Sequence, residues 1–370
     1  MKFSTSKTEL QQALQKLSKA TPTRSTLPIL GCVFIESKEE SAILRTTDLE
    51  ITIQTEIPAS LEEAGAAAIP LKTLLDITNE LPETRVSISV DEKNKAAIIT
   101  DFGQYDLMTK PPDEFPAVPN TQEAKKFEIP AELFKSVIDA SSFAVSRDEL
   151  KPALTGVLFK FNEQGLTAVA TDGHRLVKYS RNDFSTDGYS GDIIVPRKFL
   201  TFLSTQLSSG NTELLIGENH LTARVKNDMV LTRVIDERFP DYETVIPKDN
   251  NKILITEKDA LLGAVRRVAI FSNKSTHQVA LNLEKNNCSI TTEDPEKASS
   301  ANENIVVEYE GEGLTIGYNA DYLKDIVSHV SGDRVEIKFN TSISAALFSS
   351  ESPEKHIDCL MLLMPIRLND

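Results

Sequence analysis

Cysteine is scarce in this chain: Cys32, Cys288 and Cys359 are far apart and odd in number. That argues against a disulfide framework or a zinc site, fits a reducing cytoplasm, and leaves each thiol as a small buried hydrophobe. Long apolar runs are also missing. No stretch approaches the ~20 apolar residues a membrane-spanning helix needs, and Met1-Lys-Phe-Ser-Thr-Ser-Lys lacks the apolar run of a secretory signal. A cytoplasmic protein without a membrane partner is the expectation. Cations are in short supply too, with 40 Lys and Arg against 55 Asp and Glu and a net charge of −15. Tight DNA binding normally rests on Lys and Arg displacing counterions from phosphates, so strong whole-protein attraction to nucleic acid is unavailable. Chemical motifs are equally sparse. There is no glycine-rich phosphate loop and no Gly-x-Ser-x-Gly element. His220, His277, His329 and His356 show no ligand spacing such as an i, i+4 pair with an acid. Nothing proposes a reaction, so no catalytic, metal-binding or cofactor-binding residue is assigned and no cofactor is expected.

What the sequence does contain is repetition. Its 370 residues, 40% hydrophobic and 26% charged, suit a soluble globular protein of two or three domains. Three segments open alike, each a short β-prone stretch followed by an amphipathic helix: Phe3 to Leu14, Phe127 to Ile138, and Ile253 to Val265. Leu10, Leu14 and Leu17 recur at i, i+4, i+7. Leu133, Phe134, Val137 and Ile138 do the same in the second copy, and Leu261, Leu262 and Val265 in the third, giving one apolar stripe per helix. Ser6, Pro130 and Thr256 read as helix start signals. Runs of alternating strands follow, from Cys32 to Ile57, Gly156 to Tyr179 and Val279 to Glu308. Within them lie Thr47-Asp48-Leu49-Glu50, Thr171-Asp172-Gly173-His174 and Thr292-Glu293-Asp294. A second helix then begins in each copy, at Pro70, Pro196 and Ala320, and further alternation closes each unit. The first two copies end in Pro-marked segments, Glu114 to Pro119 and Arg238 to Pro247, which suit linkers. The expected fold is α+β, with three tandem domains at 1–122, 123–249 and 250–370. Each has two helices packed on one side of antiparallel sheet.

Two elements carry alternative readings. Read from its residues, Thr171-Asp172-Gly173-His174 is a structural Asp turn or a catalytic Asp/His pair. The latter would need a convergent third group, and the equivalent Thr47-Asp48-Leu49-Glu50 has no histidine. The C-terminal Leu360-Met361-Leu362-Leu363-Met364-Pro365-Ile366-Arg367-Leu368 is either a last buried strand or a docking surface, where adaptable Met would suit several clients.

Taken together in this order, Thr26-Leu27-Pro28-Ile29-Leu30-Gly31, Thr47-Asp48-Leu49-Glu50, Ala170-Thr171-Asp172-Gly173-His174-Arg175-Leu176, Val195-Pro196-Arg197-Lys198, Phe239-Pro240-Asp241-Tyr242 and Met364-Pro365-Ile366-Arg367-Leu368 give the chain its likeness. Over its whole length it resembles the bacterial DNA polymerase III beta subunit, the processivity clamp. The resemblance implies a non-enzymatic homodimer, closed head to tail into a six-domain ring with twelve helices lining a hole for duplex DNA. Its implied partners are the replicative polymerase's catalytic subunit, a clamp loader, and repair and replication-control proteins bearing a clamp-binding motif. By the same resemblance Arg24, Lys72, Arg147, Lys151, Arg197 and Lys198 would contact DNA, though solvated surface charge is the default for any Lys or Arg. In the 147–153 loop, Asp148 and the non-aromatic Pro152-Ala153 stand where members of the family commonly have polar and aromatic DNA contacts, which leaves Arg147 and Lys151 as its candidates. Leu154, Thr171, Gly173, His174, Arg175, Leu176, Pro240, Val245, Asn319, Tyr322, Ile343 and the tail Leu362, Leu363, Met364, Pro365, Ile366, Arg367 and Leu368 would line a cleft for client peptides. Thr244 stands where some members carry Arg, and Ile366 where some carry Met. Tyr105 and Leu107 would meet Ile270 and Phe271 of the other subunit.

Charge bears on this picture. The six expected helical segments (6–19, 70–80, 130–144, 196–207, 257–268 and 320–330) together carry +2, leaving −17 on the rest of the chain. A topologically linked ring needs little affinity, and weak phosphate contacts allow sliding. The competing reading is an adaptor of the same fold that gathers peptide-bearing proteins without tracking DNA.

Overall fold

The computed structural model describes residues 1–22, 24–119 and 124–368. The expected boundary between 122 and 123 lies outside the described residues. The chain forms two compact units, one from Met1–Phe134 with Lys198–Val234, the other from Lys135–Arg197 with the chain from Ile235 onward.

The first unit holds two antiparallel sheets. A five-stranded sheet runs in the order Ser60–Glu63, Lys2–Ser6, Arg85–Val90, Lys95–Thr100, Gly103–Met108. An eight-stranded sheet runs Lys125–Pro130, Asn211–Ile216, His220–Val225, Asp228–Arg233, Ile51–Pro58, Ser41–Thr47, Cys32–Ser37, Gly65–Pro70. Its two halves, from different repeats, join where Asp228↔Thr55 through Thr232↔Ile51 pair. Helices α1 (Lys7–Leu17) and α2 (Leu71–Glu80) pack together. The α1 stripe of Leu10, Ala13, Leu14 and Leu17 is buried, and Ile51, Ile53 and Ile57 alternate inward along their strand.

Helix α3 (Ala131–Ser141) crosses the division between the units, and α4 (Arg197–Gln206) begins at it. The second unit contains a nine-stranded sheet, in the order Gly191–Pro196, Gly156–Asn162, Gly165–Thr171, Arg175–Arg181, Ile357–Leu363, Ala346–Ser350, Arg334–Phe339, Lys252–Glu257, Glu308–Tyr309. A four-stranded sheet runs Ser299–Val306, Asn287–Asp294, Gln278–Glu284, Leu314–Asn319. Helices α5 (Lys258–Ala269) and α6 (Ala320–His329) pack on each other, burying Leu261, Leu262, Val265 and Val268 on one and Leu323, Ile326 and Val327 on the other. No helix among the described residues is long and apolar enough to cross a membrane.

The repeat is visible in how the helices start. The first backbone N–H of each leading helix donates to a carbonyl of the turn after that repeat's second helix: Lys7 to Thr84 (2.9 Å), Ala131 to Gly210 (2.9 Å) and Lys258 to Asp333 (2.7 Å). One of the orphan donors at each helix end is thereby satisfied by backbone. Ser6 also caps α1, its hydroxyl accepting from the Glu9 N–H at 3.2 Å. The expected signal at Thr256 does not work that way. Thr256 is buried in the strand, its hydroxyl donates to the Val306 carbonyl at 3.3 Å, and Glu257 takes the cap position without a side-chain bond.

One core group stands out. Tyr318 is fully buried on Leu314–Asn319, its hydroxyl has no hydrogen-bond partner among the described residues, and burial pushes the phenol well above the usual tyrosine range. An unmet buried hydroxyl costs about 1–3 kcal/mol. Tyr318→Phe is therefore expected to raise the midpoint of thermal unfolding, by about 1–4 °C. Differential scanning calorimetry checks this, and a fall of several degrees would reveal a partner for the hydroxyl.

Candidate functional site

The site begins at a turn built by its own side chains. The Thr171 hydroxyl accepts from the Gly173 N–H (3.1 Å) and donates to the Arg175 carbonyl (2.7 Å). One Asp172 oxygen accepts from the N–H groups of His174 (2.9 Å) and Arg175 (3.0 Å). Gly173 sits at φ +91°, left-handed backbone that a glycine adopts without a Cβ penalty. The same bonds recur at Thr47-Asp48-Leu49-Glu50, where Leu49 accepts φ +76° with its side chain exposed. The structural Asp turn is thus what both segments form. Thr292-Glu293-Asp294 does not, because its strand runs straight through to Asp294.

Arg175 follows this turn and is 8% exposed. Its guanidinium donates to Asp172 (Nε, 3.0 Å), Asp325 on α6 (Nη1, 2.6 Å) and the Phe143 carbonyl (Nη2, 2.9 Å). It also lies over the rings of Tyr322 (4.7 Å) and Phe143 (5.3 Å). His174 stacks on Tyr322 at 5.7 Å, and Phe143 on His329 at 3.9 Å. A planar fork is the side chain that can meet three acceptors and two ring faces at once. The adjoining cavity, about 610 Å³, is lined by His174 and Tyr322 and also by Arg147, Lys151 and Arg197. No ion pair engages these last three among the described residues.

The chain's last strand completes the site. Ile357–Leu363 pairs with Arg175–Arg181, from Arg175↔Leu363 to Arg181↔Ile357. Beyond it the tail is held by main-chain bonds, Met364 N–H to the His174 carbonyl (2.8 Å) and Ile366 N–H to the Gly317 carbonyl (2.9 Å). A Cβ at Gly317 would stand 2.6 Å from the Leu368 side chain, so that glycine lets the tail approach. Leu176 and Leu362 do not face solvent. With Leu158, Val169, Ile194, Tyr242 and Ala345 they form a buried apolar cluster. Val245, Ile343 and Met364 are exposed at 54%, 72% and 41%, and Ile246 and Leu347, near two of them in the chain, pack against this cluster. Pro240, Gly173, His174 and Arg367 are exposed, Leu154, Tyr322, Pro365, Ile366 and Leu368 half-buried, and Thr171 and Leu363 buried. Asn319 has a structural task as well, since its side-chain oxygen caps α6 by accepting from Asp321 and Tyr322 N–H groups. On Ile357–Leu363, burial pushes the Cys359 thiol up to about 12, consistent with an unreactive packing residue.

The remaining candidates lie elsewhere. Arg24 and Lys72 are exposed in the first unit, whereas Lys198 is ion-paired there with Asp48 of the equivalent turn. Tyr105 and Leu107 are half-buried on Gly103–Met108, an edge strand of the five-stranded sheet, and edge strands offer unpaired backbone to another chain. Ile270 and Phe271, 77% and 45% exposed, follow the end of α5 in the second unit. Phe143, Asp325 and His329 are site residues that sequence reasoning missed. Asp325 lies 150 positions from Arg175, and nothing local marks it.

Replacing Arg175 by Ala would strand a nearly buried Asp172 carboxylate, at an expected cost of about 3 kcal/mol. Arg175→Lys should recover less than half, because one ammonium cannot span three acceptors. Urea unfolding of both variants measures the two costs, and full rescue by Lys would refute the fork's role.

Comparison with known proteins follows the same three-part division. Family models match residues 1–119 (DNA polymerase III beta subunit, N-terminal domain), 128–241 (central domain) and 243–367 (C-terminal domain). The beta sliding clamp of Proteus mirabilis is 32% identical over 374 residues, and that of Chlamydia pneumoniae 28% over 371, with both chains covered in full. A Pseudomonas aeruginosa sliding clamp bound to griselimycin superposes with a TM-score of 0.93 at 30% identity, and the Bacillus subtilis clamp with 0.94 at 27%, each over the whole of both chains. The chain belongs to the DNA polymerase III beta subunit family, the bacterial sliding clamps.

Proposed function

We propose that two copies of this chain close head to tail into a six-domain ring around duplex DNA, tethering a replicative polymerase through the cleft between the second and third repeats. The repeats at 1–122, 123–249 and 250–370 are its domains. One observation carries the proposal: the tail is fixed by main-chain bonds to His174 and Gly317, which leaves Met364 exposed directly after a strand whose Leu362 belongs to a buried apolar cluster. A cleft there suits a short extended peptide with Leu and Phe anchors, because a small apolar cluster usually dominates binding of this kind. The polymerase's catalytic subunit, the clamp loader and other proteins with a clamp-binding motif would use it in turn. The protein's work is encirclement and docking, with no reaction of its own.

Contact with DNA would be weak and independent of sequence. Arg24, Lys72, Arg147, Lys151 and Arg197 are the cations available for it, and pairing with Asp48 reduces what Lys198 can offer. With a net charge of −15, topology rather than affinity must keep the ring on DNA.

Deleting residues 364–370 is expected to abolish binding of a fluorescent Leu- and Phe-bearing peptide and to end processive synthesis, while the dimer mass by light scattering stays near twice 40.9 kDa. Equal peptide affinity in the folded truncation would remove the tail from the cleft. Ile270→Ala with Phe271→Ala should instead give a folded monomer that is not retained on circular DNA. Wild-type protein should stay on the circle and be lost when the circle is linearised. Retention that ignores linearisation would favour an ordinary binder over a ring.

A further inference from the structure

The four-stranded sheet of the second unit has an outer face unlike its inner one. Val279, Leu281 and Leu283 alternate inward, as do Cys288 and Ile290, while Gln278, Asn282, Thr291 and Thr315 lie outward. These outward groups, with Asn302, floor an open groove of about 910 Å³. The lining contains amides, hydroxyls and two carboxylates, Glu293 and Glu296, but no cation. Both carboxylates are exposed, and neither is in an ion pair among the described residues. The floor is internally ordered: Asn282 donates to the Thr291 hydroxyl (3.1 Å) and accepts from Thr315 (3.0 Å), and Ser289 donates to the Asn302 side-chain oxygen (2.8 Å). A rigid polar floor of this kind suits the hydrogen-bonding groups of an extended chain.

The groove ends on the tail. Leu368 lines it, two residues after Ile366 bonds to Gly317, while Met364 at the other end of the tail is exposed and bonded to His174, both residues of the proposed cleft. A chain seated in the cleft that runs on over the tail therefore reaches the groove without a break. We propose that this groove takes the polar, basic flank of a client peptide whose apolar anchors occupy the cleft. This rests on the cleft reading above. Charge selects the flank, because Lys or Arg would meet Glu293 and Glu296 with no competing cation in the lining. The contribution is salt-sensitive, as for any exposed pair.

The experiment uses the intact dimer and a fluorescent hexapeptide bearing Leu and Phe anchors. Longer versions carry six added residues of Ser, Asn and Lys at one terminus or the other, or the same flanks with Glu in place of Lys. At one terminus the Lys flank should tighten binding about threefold to tenfold at low salt, and the Glu flank should not. Glu293→Gln with Glu296→Gln should erase that gain while leaving the affinity of the bare hexapeptide unchanged. An undiminished gain in this variant, or no gain at either terminus, overturns the groove and leaves the cleft standing. Failure of the bare hexapeptide to bind wild type overturns both, so the two failures read differently.

Discussion

Antiparallel pairing between strands of different repeats is the constraint on which the rest depends. Ile51–Pro58 of the first repeat pairs with Asp228–Arg233 of the second, and Arg175–Arg181 of the second with Ile357–Leu363 of the third. Both pairings bury backbone groups that would otherwise stand at a sheet edge, where an open strand is a liability. They also divide the second repeat between the two compact units. What the sequence presents as three similar modules is held as two larger sheet systems. The candidate cleft inherits its rigidity from one of these pairings, because its turn and its tail continue the two paired strands.

Local signals made the helices and strands legible. Leu10, Leu14 and Leu17 form a stripe that can only be one helix face, and the alternation from Cys32 to Ile57 can only be strands. Pairing between repeats was not legible, since period-2 alternation says which face is buried and nothing about the neighbouring strand. Thr256 misled because a hydroxyl before an apolar helix reads as a cap even when it is spoken for by a distant carbonyl. Leu49 is the opposite case. Its left-handed backbone is imposed by the Thr47 and Asp48 side chains, where a glycine would have been the readable choice.

The site was legible in a different way. Resemblance picked out residues that the structure gathers in one unit, His174, Arg175, Tyr322 and the tail among them, but it did not distinguish their tasks. Arg175 is a hub between the turn, α6 and Phe143 more than a surface group. Leu176 and Leu362 are buried members of the apolar cluster, and Asn319 is bound to its own helix. Comparing the two Asp turns explains why they are not interchangeable. In the first, Asp48 meets Lys198 of a later helix, whereas in the second Asp172 meets Arg175 of the strand that the turn opens, and Arg175 goes on to Asp325 and the rings of Tyr322 and Phe143.

The pairing of Arg175–Arg181 with Ile357–Leu363 bears on how the subunit is made. A growing chain produces the turn, His174 and Arg175 well before the strand and tail that must lie beside them. Until then that sheet edge is open, and the apolar floor lacks Leu362 and Ala345. A nascent chain can thus fold its first unit's early strands while the cluster around Leu158, Val169 and Leu176 stays unclosed. Closure of this cluster is therefore a late event of folding, set by the long stretch of chain, from Arg181 to Ile357, that separates the two partner strands.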